Sequence, residues 1–101
     1  MAGVNLPYGF PYETVAAGQT AQVLGGNGAI GDYLDKIVAI VATSATSTIS
    51  IIDGSTSISL MAANTPIGTY VLPLGVLSAT GPWKVTTGAG VSVIAVGRFS
   101  A

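Results

Sequence analysis

Three cations and four anions are all the formal charge that 101 residues carry, although half of the chain is apolar. Soluble domains usually devote about a quarter of their residues to Asp, Glu, Lys and Arg, and a small solitary domain needs those charges to break up apolar patches on its surface. Here there are too few, so much of the exterior must be Ser, Thr, Gly or bare hydrocarbon. Contiguous exposed hydrocarbon marks a partner surface. The charge deficit therefore predicts a single domain that other subunits cover, with oligomerisation adding to the modest stability margin of a core this small.

The same inventory narrows the function classes. Three cations cannot neutralise a useful number of phosphates, so nucleic acid is not an expected partner. The most apolar stretch, Ile37 to Ala42, is far shorter than the roughly 20 residues of a membrane-spanning helix, so no membrane partner is expected. The start of the chain has neither a basic segment nor an apolar run of signal-peptide length, which predicts a protein made in the cytoplasm. With no His and no Cys there is no imidazole base, disulfide framework or thiolate metal site. Glu13 is the only Glu, and of the other acids only Asp32 and Asp35 are close in sequence, so no catalytic pair of carboxylates is expected.

Residues 1–18 differ in character from the rest of the chain. Leu6-Pro7-Tyr8-Gly9-Phe10-Pro11-Tyr12 joins prolines to aromatics without regular periodicity and reads as an extended N-terminal arm. Proline lowers the entropy lost when such a segment docks, and aromatics supply buried area, so Leu6, Pro7, Tyr8, Phe10, Pro11 and Tyr12 are candidate interface residues. The arm could lie across a neighbour or fold back over its own domain.

Residues 19–101 read as an all-β domain, with β-branched runs punctuated by Gly, Asn, Asp and Pro at the roughly 8–12-residue spacing of short antiparallel strands. That density suits an antiparallel β-sandwich of jelly-roll type or a small barrel. Strands are expected at Thr20 to Leu24, Tyr33 to Ala42, Thr69 to Leu74, Trp83 to Thr87 and Val91 to Phe99, with Pro73 at a strand end or sheet edge. A hairpin is expected around Asp53-Gly54, pairing Ile51 with Thr56, Ile49 with Ile58 and Ser47 with Leu60. Thr48, Ser50, Ser57 and Ser59 then face outward. In the Tyr33 to Ala42 and Val91 to Phe99 strands both alternating faces are apolar, so each needs a second cover beyond the sandwich interior. That cover could be the arm, a loop such as Ala62 to Gly68, or another subunit, and the charge deficit favours the last, which makes these two strands the candidate oligomer seam.

Gly26-Asn27-Gly28-Ala29-Ile30-Gly31 matches G-x-G-x-x-G, but a β-branched run comes after it where a phosphate-binding loop requires a helix. A loop between strands explains the glycines, and no cofactor is expected. Asn27, Asp32 and Asp35 lack the number and spacing of a calcium shell, and no metal site is expected. Trp83 could stack on a ligand or seal the end of a sandwich. Arg98, the only Arg, stands on an otherwise uncharged strand, which suggests a specific partner such as Glu13 or an acid on a neighbour. Trp83 and Arg98 complete the candidate interface residues.

The N-terminal arm, Val15-Ala16-Ala17-Gly18-Gln19-Thr20-Ala21-Gln22-Val23-Leu24-Gly25, Gly31-Asp32-Tyr33-Leu34, Tyr70-Val71-Leu72-Pro73-Leu74-Gly75 and Gly81-Pro82-Trp83-Lys84-Val85-Thr86-Thr87 together give the chain its family likeness. It resembles the small virion proteins of tailed bacteriophages, in particular capsid decoration or cement proteins. The resemblance implies a non-enzymatic homotrimer on the outside of an expanded capsid, clamping neighbouring copies of the major capsid protein through arms and apolar undersides. It also implies a virion location after synthesis in the host cytoplasm. A β-structured subunit of a head fibre, tail tip or receptor-binding assembly is the alternative, and a non-viral lectin-like module would differ from both by binding sugar on its own.

Overall fold

The computed structural model describes residues 10–101 and shows an antiparallel all-β sandwich. Its strands are β1 (Tyr12–Val15), β2 (Gln22–Val23), β3 (Tyr33–Val41), β4 (Ile49–Asp53), β5 (Thr56–Met61), β6 (Gly68–Leu77), β7 (Trp83–Thr87) and β8 (Val91–Arg98), with one 3₁₀ turn at Ser44–Thr46. One sheet runs β1-β8-β3-β6 and the other β2-β7-β4-β5. β4 pairs with β5, β3 with β6, β2 with β7 and β1 with β8, so each pair encloses the one before it. The chain is thus one long hairpin whose doubled arm passes back and forth between the two sheets.

Alternation along the strands builds the core. β7 and β8 bury every second residue, placing Trp83, Val85, Val91, Val93 and Ala95 between the sheets. They meet Leu34, Ile37, Ala39 and Val41 of β3 and Ile49 and Ile51 of β4 in one cluster. Full burial of each large aliphatic side chain contributes about 1.5–3 kcal/mol relative to exposure. β3 keeps this phase across a bulge at Asp35, between Leu34 and Lys36, which lets Leu34 and Ile37 both point inward. Opposite the bulge, Gly97 leaves no room for a side chain: a Cβ there would collide with the Tyr33 carbonyl.

Three expectations change in the structure. Residues 1–9 of the expected arm lie outside the described residues, and Tyr12–Val15 pair with β8 as an edge strand of the domain's own sheet. The folded unit therefore reaches back into the segment 1–18. Second, the hairpin turns on Gly54-Ser55 and not on Asp53-Gly54, so Asp53 pairs with Thr56 and Ile51 with Ile58, while a bulge brings Ile49 opposite Met61. Gly54 takes φ 62 and Ser55 stays outside the positive-φ region, which a turn with glycine at its first central position requires. Asp53 is held back on β4 because its carboxylate accepts N–H bonds from Ala79 and Thr80 at 2.9 and 3.0 Å. Third, β6 runs on to Leu77, past the expected end at Leu74, while Pro73 lies inside it at a sheet edge, one of the two places expected for it.

Candidate binding surface

The outer face of the β1-β8-β3-β6 sheet is built from the side chains that alternate with its core residues. Thr14, Ile94, Val38 and Val71 form one row across all four strands. Tyr12, Val96, Lys36 and Pro73 form a second, and Ser92, Ile40 and Thr69 a third. Val71 is 59% exposed, Ile40 40% and Tyr12 69%, while Val38, Ile94 and Val96 are half-buried between their neighbours. The second cover expected for β3 and β8 is thus not supplied by the described part of the domain.

Beyond the bulge the face ends in a row of Leu77, Tyr33 and Arg98. The Phe10 ring packs on Tyr33 with centroids 5.1 Å apart, and the Arg98 guanidinium carbon lies 5.4 Å from the centre of the Phe10 ring. Arg98 therefore meets an aromatic face, a cation–π contact. Glu13, the carboxylate considered for it, instead accepts bonds from the Gly25 N–H at 2.7 Å and the Gln22 amide at 3.2 Å. Beside this row the Tyr33 hydroxyl donates to Asp35 at 2.9 Å, and that bond, with burial and the nearby negative charge, pushes the Tyr33 pKa up.

Of the expected interface residues, Leu6, Pro7 and Tyr8 lie outside the described residues. Phe10, Pro11, Tyr12 and Arg98 gather where β1 enters the sheet, and the Pro11 carbonyl accepts the Gly97 N–H at 3.1 Å. Trp83 is not on a surface. It is 3% exposed, and its indole N–H donates to the Asp32 carbonyl at 2.9 Å, so it seals one end of the sandwich and offers no stacking platform. Val71 and its neighbours on β6 were not singled out from sequence, yet the signal was present: Thr69, Val71 and Pro73 alternate with Tyr70, Leu72 and Leu74 without one charge on either face.

Asp32 and Asp53, like Glu13 with the Gly25 N–H, hold loops together and so do not charge this surface. Asp32 is buried and accepts from the Ser100 hydroxyl at 2.7 Å, the Ser100 N–H at 2.9 Å and the Ala29 N–H at 3.0 Å. Burial opposes its ionisation, but the bonds from Ser100 and Ala29 outweigh it and hold the carboxyl below its ordinary pKa. The Asp53 pKa is lowered by the N–H groups of Ala79 and Thr80, aided by Gly81 and the Thr80 hydroxyl against a smaller effect of burial. In the glycine-rich loop, the Asn27 and Gly28 N–H groups bond to the Ser100 carbonyl at 3.3 and 3.0 Å, and Gly31 N–H bonds to Ser78. Those donors face the chain's own backbone and not a phosphate.

The outer face of the second sheet has a different chemistry. Thr86, Ser50 and Ser59 form one row, and Val23, Lys84, Ile52 and Ser57 another. Hydroxyls dominate it. No family model and no curated protein sequence matches this chain.

Proposed function

We propose that this protein is a structural, non-enzymatic subunit that decorates and stabilises a bacteriophage capsid, binding across neighbouring copies of the major shell protein as a homotrimer. One observation carries the reading: the outer face of the β1-β8-β3-β6 sheet is apolar through its middle and is left uncovered by the described domain. Covering a contiguous apolar face of this kind is favourable, and such faces mark interaction surfaces. The nested pairing of β1 with β8, β2 with β7, β3 with β6 and β4 with β5 supports a jelly-roll reading, an architecture that capsid proteins share with lectins.

The mechanism is area and geometry. Each apolar Å² removed from water contributes about 25 cal/mol before the costs of association, and a multiply anchored trimer gains further by avidity. The test is co-sedimentation of purified protein with expanded empty capsids of the phage that encodes it. The reading predicts saturable binding at a fixed ratio to the shell protein and greater resistance of the loaded shells to heat. Capsids that leave the protein in the supernatant would overturn it.

A further inference from the structure

We infer that two copies of the chain pair through the free edge of β6, antiparallel and about a two-fold axis beside Tyr70. This rests on the proposed self-assembly but not on capsid binding. One contact sets the hydrogen-bond phase of the whole sheet. The Gly97 N–H donates to the Pro11 carbonyl, so Gly97, Ala95 and Val93 turn their backbone groups toward β1. Ile94 and Val96 then face β3, Ile37, Ala39 and Val41 face β6, and Gly68, Tyr70 and Leu72 face β3 in return. Thr69, Val71 and Pro73 are left with their backbone groups turned away from the sheet. Pro73 agrees with that phase, since its nitrogen carries no hydrogen and belongs on the open side.

The sheet's two edges differ. On β1 the outward-turned Thr14 carbonyl already accepts the Gln22 side-chain amide at 3.2 Å, and Glu13 brings a charge beside it. β6 has no charged side chain, and among the described residues no strand pairs with its outer side. Gly75, at φ 67, interrupts the strand beyond Pro73, so the regular free edge runs from Gly68 to Pro73. That edge is complementary to itself. With Tyr70 opposite Tyr70 of the second copy, Thr69 of each copy stands opposite Val71 of the other, and every free N–H of these residues finds a carbonyl. Centring on Val71 instead would set Thr69 opposite Pro73, which has no N–H to give. The opposed Thr69 and Val71 are β-branched, a favourable cross-strand pair, and no like charges meet. Such an isologous contact is additional to those that close the proposed trimer. Its axis runs through the sheet, so the outer faces of both copies look the same way and join into one apolar surface.

The chain contains no cysteine, so introduced pairs report contacts cleanly. One copy carries Thr69→Cys and the other, distinguishable by an isotopic label, carries Val71→Cys; the mixture is oxidised mildly and the disulfides are assigned by mass spectrometry. Directly opposed residues of a hydrogen-bonded pair have Cα atoms about 5.5 Å apart, within disulfide reach. Pairing at an effective concentration in the millimolar range, against about 10 μM in solution, should enrich the Thr69–Val71 cross-link on the order of 100-fold over a control of Thr69→Cys with Thr14→Cys on the opposite edge. A second variant, Thr69→Pro, deletes a free N–H without removing a bond to β3. Its circular dichroism spectrum should stay that of the unaltered chain while self-association, read by sedimentation velocity, weakens by about 10-fold or more. Equal yields from the control pair, an oligomer without the Thr69–Val71 cross-link, or a folded Thr69→Pro that associates as well as the unaltered chain would overturn the edge pairing and leave self-assembly standing. An unaltered chain that stays monomeric would overturn both. The cross-link decides alone if the proline variant misfolds. Because no capsid is present, none of these outcomes bears on shell binding.

Discussion

The two sheets share one core but present opposite exteriors. On the β2-β7-β4-β5 sheet, Ser50, Thr86, Ser57 and Ser59 give water hydrogen-bonding partners without charge; on the β1-β8-β3-β6 sheet, Val38, Ile94, Val96 and Val71 give it none. Charge does not mark the difference, since Lys36 and Arg98 lie on the apolar exterior and Lys84 on the hydroxylated one. What separates them is whether the outward positions carry hydroxyls or methyls. The proposed binding surface is the face of methyls, and the hydroxylated face is left to solvent in that proposal.

Substitutions should separate the two faces. Val71→Asp combined with Val38→Asp should weaken self-association and capsid binding by 100-fold or more, a loss of about 3 kcal/mol, since a buried unpaired carboxylate is strongly penalised. The circular dichroism spectrum should remain that of a β-sandwich. Ser50→Asp with Ser59→Asp on the other exterior should leave both associations within a factor of about two. Equal losses from the two double variants would break the distinction between the faces.

Changes to the shared frame should lower stability while leaving that contrast intact. Gly97→Ala forces a methyl group onto the Tyr33 carbonyl and should cost about 2–3 kcal/mol in urea unfolding, by the overpacking penalty typical of cores. Asp32→Asn removes a charged acceptor of three hydrogen bonds and should cost about 1.5–3 kcal/mol at pH 7.

The Asp32 and Asp53 pKa values are lowered in the folded protein, so their contribution to stability is complete above the ordinary carboxylate pKa of about 4 and is lost as pH falls through the lower folded values. Unfolding midpoints should be flat in this respect from about pH 6 to pH 5 and fall below about pH 4. Asp32→Asn should flatten part of that acid slope. Among the stability changes the smallest is expected at Ser47, whose buried hydroxyl donates to the Ala62 carbonyl and accepts the Thr65 N–H, both at 2.9 Å. Ser47→Ala should cost about 1–2 kcal/mol, measured by thermal unfolding.

Much of the fold was legible because alternation and turn chemistry are local. Trp83 to Thr87 appears as expected, β3 and β8 match to within a residue, and the second apolar face of each was visible in Val38, Ile40, Ile94 and Val96. The hairpin was legible as a hairpin but not in register, because long-range bonds from Ala79 and Thr80 decide on which side of the turn Asp53 falls. The strand within the 1–18 segment was not legible for a similar reason. Tyr12-Glu13-Thr14-Val15 becomes a strand only because β8 offers it an edge. Trp83 and Arg98 were legible as distinctive side chains, but the contacts that define them, the Asp32 carbonyl and the Phe10 ring, come from elsewhere in the chain. The charge deficit raised the expectation of a partner, whereas which exterior is the apolar one became visible only in the paired registers of β1, β8, β3 and β6.

Sedimentation velocity on the purified protein, beside the Val38→Asp, Val71→Asp double variant, tests the central claim most directly. The apolar exterior of the β1-β8-β3-β6 sheet predicts an oligomer at micromolar concentration for the unaltered chain and a folded monomer for the variant. A monodisperse monomer for the unaltered chain, or an oligomer that both proteins form equally well, would contradict it.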